Sequence, residues 1–192
     1  MKKILIPLIF LFVSLSLSAQ NDLGRQLWRN FNLGWDVYST QDYRWRNLFI
    51  GSGYYYNFPS FPKAYIYGGM NINWSKYTLY KGGKYEMMNN NTTLKTTSIS
   101  VPLRGGYQVF QSKGFGLNLY TGPQFELILA SKLDGYRFDE INRFQTGWTV
   151  GSNMQFLYLF SARVAYSYYS MSLLSGNYNY MPRSAFTLSI GF

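Results

Sequence analysis

The sequence predicts an all-β fold, an eight-stranded antiparallel up-and-down transmembrane β-barrel that follows a cleaved signal peptide. Aromatic residues make up 20% of the chain and charged residues only 14%, whereas an ordinary soluble domain has about 25% charged residues. After residue 19, no segment is apolar over the roughly 20 residues that a membrane-spanning helix needs. Segments of alternating apolar and polar residues recur instead, as expected where one strand face meets lipid and the other a narrow lumen.

Residues 1–19 are expected to form the signal peptide, and residues 20–192 one barrel domain. Lys2 and Lys3 precede an apolar run, and small residues then alternate with Leu up to Ala19, which is the order typical of a secretory signal. The apolar run is too short for a spanning helix. The alternative to a cleaved signal peptide is an uncleaved anchor. Because the chain has no Cys, it has no thiol for lipid attachment and no disulfide framework.

The alternation defines eight strands. They are expected over residues 29–39, 44–57, 64–77, 96–110, 115–130, 143–154, 157–171 and 184–192. The first has Trp35 on its apolar face and Asp36 on its polar face, because strand side chains alternate with a period of two. The second alternates less clearly, since residues 54–56 are all Tyr. Pro59 and Pro62 end it, because proline lacks the N–H group that a sheet ladder requires.

The third, fourth and fifth strands alternate more regularly. Ile72 belongs to the apolar face of the third, and Val101 to that of the fourth, where Arg104 lies on the opposite face. In the fifth strand, Leu127 and Glu126 point to opposite sides. Two further strands follow the loop after residue 130, separated from each other by only a few residues.

The last strand has the clearest lipid-facing pattern. Small or polar residues occupy one side of it, and the other side carries Phe186, Leu188, Ile190 and Phe192. The terminal Phe192 resembles the signal by which barrel-assembly machinery recognises outer-membrane substrates. That machinery is therefore an expected partner during biogenesis.

Loop lengths predict how the barrel is oriented. Residues 80–93, 131–142 and 172–183 form long loops, whereas the connections near residues 58–62, 111–114 and 154 are short. Bacterial barrels combine short periplasmic turns with longer outer loops. An even number of strands then places both termini in the periplasm, and the three long loops become the expected sites for a protein partner.

Charges within the predicted strands lie on the face opposite to lipid. An Arg or Lys at the bilayer midplane would destabilise the barrel by about 2–4 kcal/mol. None of the residues that we assign to the outward face of the five clearest strands is charged. The inward charged residues are Asp36, Arg104, Glu126 and Arg163. An eight-stranded barrel is filled by its own side chains, so these four are expected to pair and fill the lumen as a structural polar network. A narrow ion path or gate is the alternative.

The formal net charge is +10. No basic run or stripe accompanies it, so a nucleic-acid partner is not expected. Solvated loops and rims are the simpler explanation of the excess, and attraction to outer-membrane lipid and lipopolysaccharide head groups is the alternative.

Several segments resemble the PorT-like outer-membrane β-barrel domain family. Residues 97–104 (TSISVPLR) are similar to its "L-x-I-P-L" strand, with Val101 in place of the usual Ile, and residues 119–125 (LYTGPQF) to its "G-P" strand. Residues 148–151 (WTVG) and 162–168 (ARVAYSY) resemble its sixth and seventh strands. The resemblance implies an eight-stranded barrel in a Gram-negative outer membrane, and some members take part in protein secretion across it.

The composition argues against catalysis. The chain contains neither His nor Cys, which removes histidine bases, thiolate nucleophiles and the usual soft metal ligands. Asp139 and Glu140 are an adjacent carboxylate pair, which in a loop is more often solvated than catalytic. No enzyme activity and no cofactor are therefore expected. Three functions remain: a structural or surface-interaction barrel acting through its outer loops, an accessory of an outer-membrane secretion machine, or a soluble ligand-binding barrel of lipocalin type.

Overall fold

The computed structural model describes residues 30–85, 91–157, 160–175 and 181–191. The expected signal peptide and Phe192 lie outside this range. In chain order the strands are β1 (Asn32–Ser39), β2 (Tyr43–Phe58), β3 (Phe61–Leu79), β4 (Thr92–Gln111), β5 (Phe115–Leu133), β6 (Tyr136–Arg137), β7 (Phe144–Phe156), β8 (Phe160–Tyr169) and β9 (Arg183–Gly191). Among the described residues there is no apolar helix of the length that a membrane span requires.

The strands form one closed antiparallel sheet. Neighbours follow the order β4-β3-β2-β1-β9-β8-β7-β5, and pairing of β4 with β5 closes the ring. The first and last strands meet with Trp35 opposite Leu188. The two-residue β6 pairs only with the end of β5, so eight strands build the wall. The predicted eight-stranded antiparallel barrel is confirmed.

Three strands are longer than predicted by three to five residues. β3, β4 and β5 contain 19, 20 and 19 residues, and they continue into segments that we expected to be loops. Residues 131–133 belong to β5, and the chain then turns back into β6 through Asp134 and Gly135, whose φ angles are 46° and 96°. Asp-Gly at positive φ is the pair that a tight hairpin turn prefers. The loop expected over residues 131–142 is therefore partly a β-hairpin.

Apolar side chains cover the outside of the wall. In β1, Leu33, Trp35 and Val37 are 41%, 42% and 45% exposed, whereas Asn32 and Asp36 are buried in the lumen. Outward residues of β9 follow the same rule: Phe186, Leu188 and Ile190 are all exposed. This distribution is the reverse of a soluble protein, and it confirms the predicted faces of the first and last strands.

The two ends of the barrel differ. Connections of two or three residues join β2 to β3, β4 to β5 and β7 to β8 at one end, where β1 begins and β9 ends with Asn32 opposite Gly191. We call this the short-turn end. The opposite, long-loop end carries the connections over residues 80–91 and 170–182 and the hairpin of β5 and β6.

Leu188→Arg tests the lipid-facing wall. Leu188 lies mid-strand between Trp35 and Val164, so a charge there should destabilise the folded barrel by about 2–4 kcal/mol. Urea titration of protein refolded in lipid vesicles, followed by heat-modifiable gel migration, measures this loss.

Leu157→Arg is the matched control. Leu157 is 64% exposed in a turn at the short-turn end, where the same exchange should cost about 0–1 kcal/mol. Equal losses in the two variants would contradict the lipid-facing assignment.

Candidate functional site

An apolar cluster, which we call the plug, covers the long-loop end of the lumen. Its members are Tyr43, Trp45, Tyr77, Leu79, Tyr85, Leu94, Ile128, Ile141, Tyr169, Leu173, Leu174, Met181 and Ala185. Leu173 and Met181 come from the loop after β8 and are fully buried. The amide of Leu173 donates to the carbonyl of Met181 at 3.1 Å, and the amide of Asn142 donates to the carbonyl of Leu173 at 3.0 Å. Part of the loop predicted over residues 172–183 therefore folds into the barrel.

A buried ion pair lies directly below the plug. Arg183 Nη2 is 2.7 Å from Glu126 Oε2, and their side chains are 0% and 3% exposed. The hydroxyl of Ser98 donates to the other oxygen of Glu126, and Arg183 Nη2 also donates to Gln145 Oε1 at 3.4 Å. Both carboxylate oxygens are thus hydrogen-bonded, which a buried charge requires.

Aromatic rings surround the same guanidinium group. Its central carbon lies 3.9 Å from the ring centre of Tyr169 and 5.3 Å from that of Trp45, and Arg183 Nη1 donates to Tyr77 Oη at 2.9 Å. Cation–π contacts of this kind are strongest where water is excluded. From β9, Arg183 thus contacts side chains of β2, β3, β5, β7 and β8.

Sequence reasoning missed Arg183 because it was placed in a loop, whereas it is the first residue of β9. The hydrophobic alternation becomes clear only at Phe186, because Ser184, two residues earlier on the same face, is small and polar. The spacing could have identified it. Arg183 is three residues before the outward-facing Phe186, and because strand side chains alternate, an odd spacing places it on the inward face.

Asp36 is held by its cross-strand neighbours. Asn47 and Thr187 lie opposite it on β2 and β9. Asn47 Nδ2 donates to Asp36 Oδ2 at 2.8 Å, and the hydroxyl of Thr187 donates to Asp36 Oδ1 at 2.6 Å. Ser75 continues the network, because its hydroxyl donates to Asn47 Oδ1 at 3.0 Å.

Arg104 and Arg163 occupy the half of the lumen nearer the short-turn end, among tyrosines. Their guanidinium carbons lie 5.4 Å and 5.7 Å from the ring centre of Tyr67. Arg163 Nη2 also donates to Tyr55 Oη at 3.1 Å, and Arg104 lies 4.8 Å from the ring centre of Tyr120. Tyrosine rings and a hydroxyl group therefore take the place of carboxylates in this half.

Glycines make room for these rings in the narrow lumen. A Cβ atom on Gly106 would lie 2.1 Å from Tyr65 Cζ, and one on Gly151 would lie 2.8 Å from Tyr120 Cζ. Each glycine is the cross-strand partner of the tyrosine that covers it. A larger residue at either position would displace the ring.

The predicted lumen network is thus present in a different arrangement. We expected Asp36, Arg104, Glu126 and Arg163 to pair with one another, and that pairing is wrong. Glu126 pairs with Arg183, Asp36 accepts hydrogen bonds from neutral side chains, and the two arginines contact tyrosines. Strand stagger decides which side chains meet across the lumen, and the sequence does not give it.

The short-turn end contains a cavity of about 680 Å³. Its wall includes Tyr55 and Tyr65, the amides Asn118 and Gln155, and Lys63. Arg163 approaches this cavity through its hydrogen bond to Tyr55. The lumen is therefore polar and recessed at one end and covered by the apolar plug at the other.

Of the adjacent carboxylates Asp139 and Glu140, Asp139 is held in ion pairs with two arginines. Asp139 is a salt-bridge partner of Arg137 at 2.9 Å and of Arg143 at 3.2 Å, and its side chain is 56% exposed. Within the described residues, no group of three or more His, Cys, Asp or Glu side chains is arranged to hold a metal ion.

Comparisons with known proteins support the fold. No family model matches the sequence, and no curated protein matches it. Among solved structures, the outer membrane enzyme PagL matches with a TM-score of 0.51 and 10% identity, over 83% of this chain and 97% of that one. Ail of Yersinia pestis, in complex with the heparin analogue sucrose octasulfate, matches with a TM-score of 0.43 and 13% identity, over 84% of this chain and 95% of that one. The N-terminal barrel domain of Pseudomonas aeruginosa OprF matches with a TM-score of 0.32 and 11% identity, over 85% of this chain and 97% of that one.

The likeness to PagL concerns the fold alone, because the identity is low. The chain therefore has the fold of the small eight-stranded outer-membrane barrels. Its resemblance to the PorT-like family stays a prediction, since no family model matches.

Arg183→Met tests the buried ion pair. The substitution leaves Glu126 without its charged partner in the lumen, so the free energy of unfolding should fall by about 3–5 kcal/mol. The double variant Glu126→Gln/Arg183→Met should recover much of that loss, because neither charge remains. Urea titration in lipid vesicles measures both.

Arg143→Met is the control for this prediction. Its pairing with Asp139 is solvent-exposed, and such pairs contribute about 0–1 kcal/mol. An Arg183 variant as stable as the Arg143 variant would show that the buried pair does not stabilise the barrel.

Proposed function

We propose that the protein is a non-enzymatic integral barrel of a Gram-negative outer membrane, with a structural or surface-interaction role exerted through its long-loop end. The apolar outer wall carries this proposal. Leu48, Val101, Leu127 and Leu188 all point outward and are 39–48% exposed, whereas a soluble barrel turns such side chains inward. In a bilayer these side chains meet acyl chains.

Cell fractionation tests this location. The protein should be recovered with the outer membrane and released only by detergent, because its outer wall is apolar. Recovery from the soluble periplasm without detergent would contradict the proposal and favour the ligand-binding barrel of lipocalin type.

The absence of catalysis is part of the proposal. The sequence contains no His and no Cys, and Asp139 is paired with arginines on an exposed loop. The buried carboxylates Asp36 and Glu126 are fully engaged in hydrogen bonds within the lumen. These arrangements favour structural roles for the polar side chains over proton transfer to a substrate.

The hairpin of β5 and β6 is the element best suited to contact a partner. Tyr136 is 81% exposed at the long-loop end, next to the Asp134–Gly135 turn that fixes the hairpin. Aromatic and Arg side chains are enriched at protein interfaces, and Arg137 follows directly. The long-loop end faces the cell exterior in this proposal, and both termini of the barrel face the periplasm.

Single cysteines test this orientation without background, because the chain has no native Cys. In intact cells, a membrane-impermeant maleimide should label Tyr136→Cys, which lies at the long-loop end. Lys113→Cys, in the exposed turn between β4 and β5, should be labelled only after the outer membrane is disrupted. The reverse pattern would invert the proposed orientation.

A role as an accessory of an outer-membrane secretion machine is the second candidate. Residues 97–104 and 162–168 favour it through their resemblance to the PorT-like family. Co-purification from native membranes under mild detergent separates the two candidates. Stable association with secretion components, and loss of secretion on deletion, would favour the accessory role over a lone barrel.

A further inference from the structure

Four cations lie in register on the outside of the barrel near the long-loop end, so the expectation that charges within the strands all face away from lipid is wrong at this edge. Arg46 on β2 is opposite Lys76 on β3, Lys76 is opposite Lys95 on β4, and Lys95 is opposite Lys132 on β5. We call these four residues the cation row. All four side chains are exposed, and directly opposed residues place their Cβ atoms about 4.5–5.5 Å apart. Like charges at that separation are destabilising.

No carboxylate offsets this repulsion within the described residues. The ion pairs there involve Arg137, Arg143 and Arg183 but no member of the cation row. Arg137 continues the row on β6, opposite Lys132, and it is paired with Asp139 at 2.9 Å. Asp134 Oδ1 instead accepts a hydrogen bond from the amide of Thr93 at 2.8 Å.

The cation row follows the edge of the apolar wall. One step toward the short-turn end, about 7 Å along each strand, the outward residues in register are Leu48, Trp74, Thr97 and Ala130. The next step reaches Ile50, Ile72, Ile99 and Leu127. Trp74, which is 40% exposed, lies where barrels carry the aromatic girdle at the membrane interface. The cations therefore lie just beyond the acyl-chain region.

We infer that the cation row binds the phosphate groups of anionic lipids in the leaflet around the long-loop end. The inference rests on the proposed insertion into the outer membrane. The row belongs to the lipid-facing wall and adjoins Leu48 and Trp74, so a lipid beside the barrel can place acyl chains on the apolar rows and its head group on the cations. The phosphates supply the negative charge that the protein does not provide, and each cation contributes about 1 kcal/mol near a charged membrane surface.

The test uses the full barrel in phosphatidylcholine nanodiscs that contain a minor fraction of bisphosphorylated lipid A. Native mass spectrometry measures how strongly lipid A is retained on the barrel. The Lys76→Gln/Lys95→Gln variant should retain it roughly 25-fold more weakly, since each lysine accounts for about fivefold. The retention by the wild-type protein should also fall as salt is raised.

Lys63→Gln/Lys113→Gln is the matched control, because it removes two exposed lysines at the short-turn end and gives the same net charge. It should retain lipid A like the wild-type protein. Equal retention by the two variants, whether both weakened or both unchanged, would overturn the inference. So would binding of inorganic phosphate in pure phosphatidylcholine discs that depends on Lys76 and Lys95, because it would assign the row to a soluble anion.

Heat-modifiable gel migration, measured on the same samples, reports insertion separately. A wild-type barrel that fails to insert contradicts the proposed function itself. A barrel that inserts and does not distinguish the two variants contradicts only the lipid assignment.

Discussion

The placement of one arginine constrains most of this structure. Arg183 begins β9, and its side chain crosses the lumen to Glu126 on β5, with Tyr169, Trp45 and Tyr77 around it. Those three aromatic residues also belong to the plug. The ion pair therefore supports the plug from below and connects strands that are not neighbours in the wall. A buried charge without such partners would cost several kcal/mol, so these contacts specify how the wall segments must face one another.

The remaining lumen charges follow the same physical rule with different partners. Asp36 receives hydrogen bonds from Asn47 and Thr187, and Arg104 and Arg163 lie against tyrosine rings. Unlike an ion pair, a cation–π contact leaves the positive charge uncompensated. The half of the lumen near the short-turn cavity is therefore electropositive, and its opposite half is closer to neutral.

The fold could be predicted from the sequence because lipid imposes a strict period of two. Leu33, Trp35 and Val37 had to face outward together, and the same alternation gave the number of strands. The interior was less predictable. Which side chains meet across the lumen depends on strand stagger, so the partners of Glu126 could not be derived. The hairpin at Asp134 was missed for another reason: its turn residues lie in a polar segment without alternation.

The wall of the barrel has unequal height. β3, β4 and β5 contain 19, 20 and 19 residues, whereas β1 contains 8 and β9 contains 9. The long strands are consecutive around the ring, so they form a raised flank, while the seam where the first and last strands meet stays low. This makes the molecule directional within the plane of the membrane. A neighbouring membrane protein therefore meets a tall apolar surface on the side of β3, β4 and β5 and a shorter one at the seam of β1 and β9.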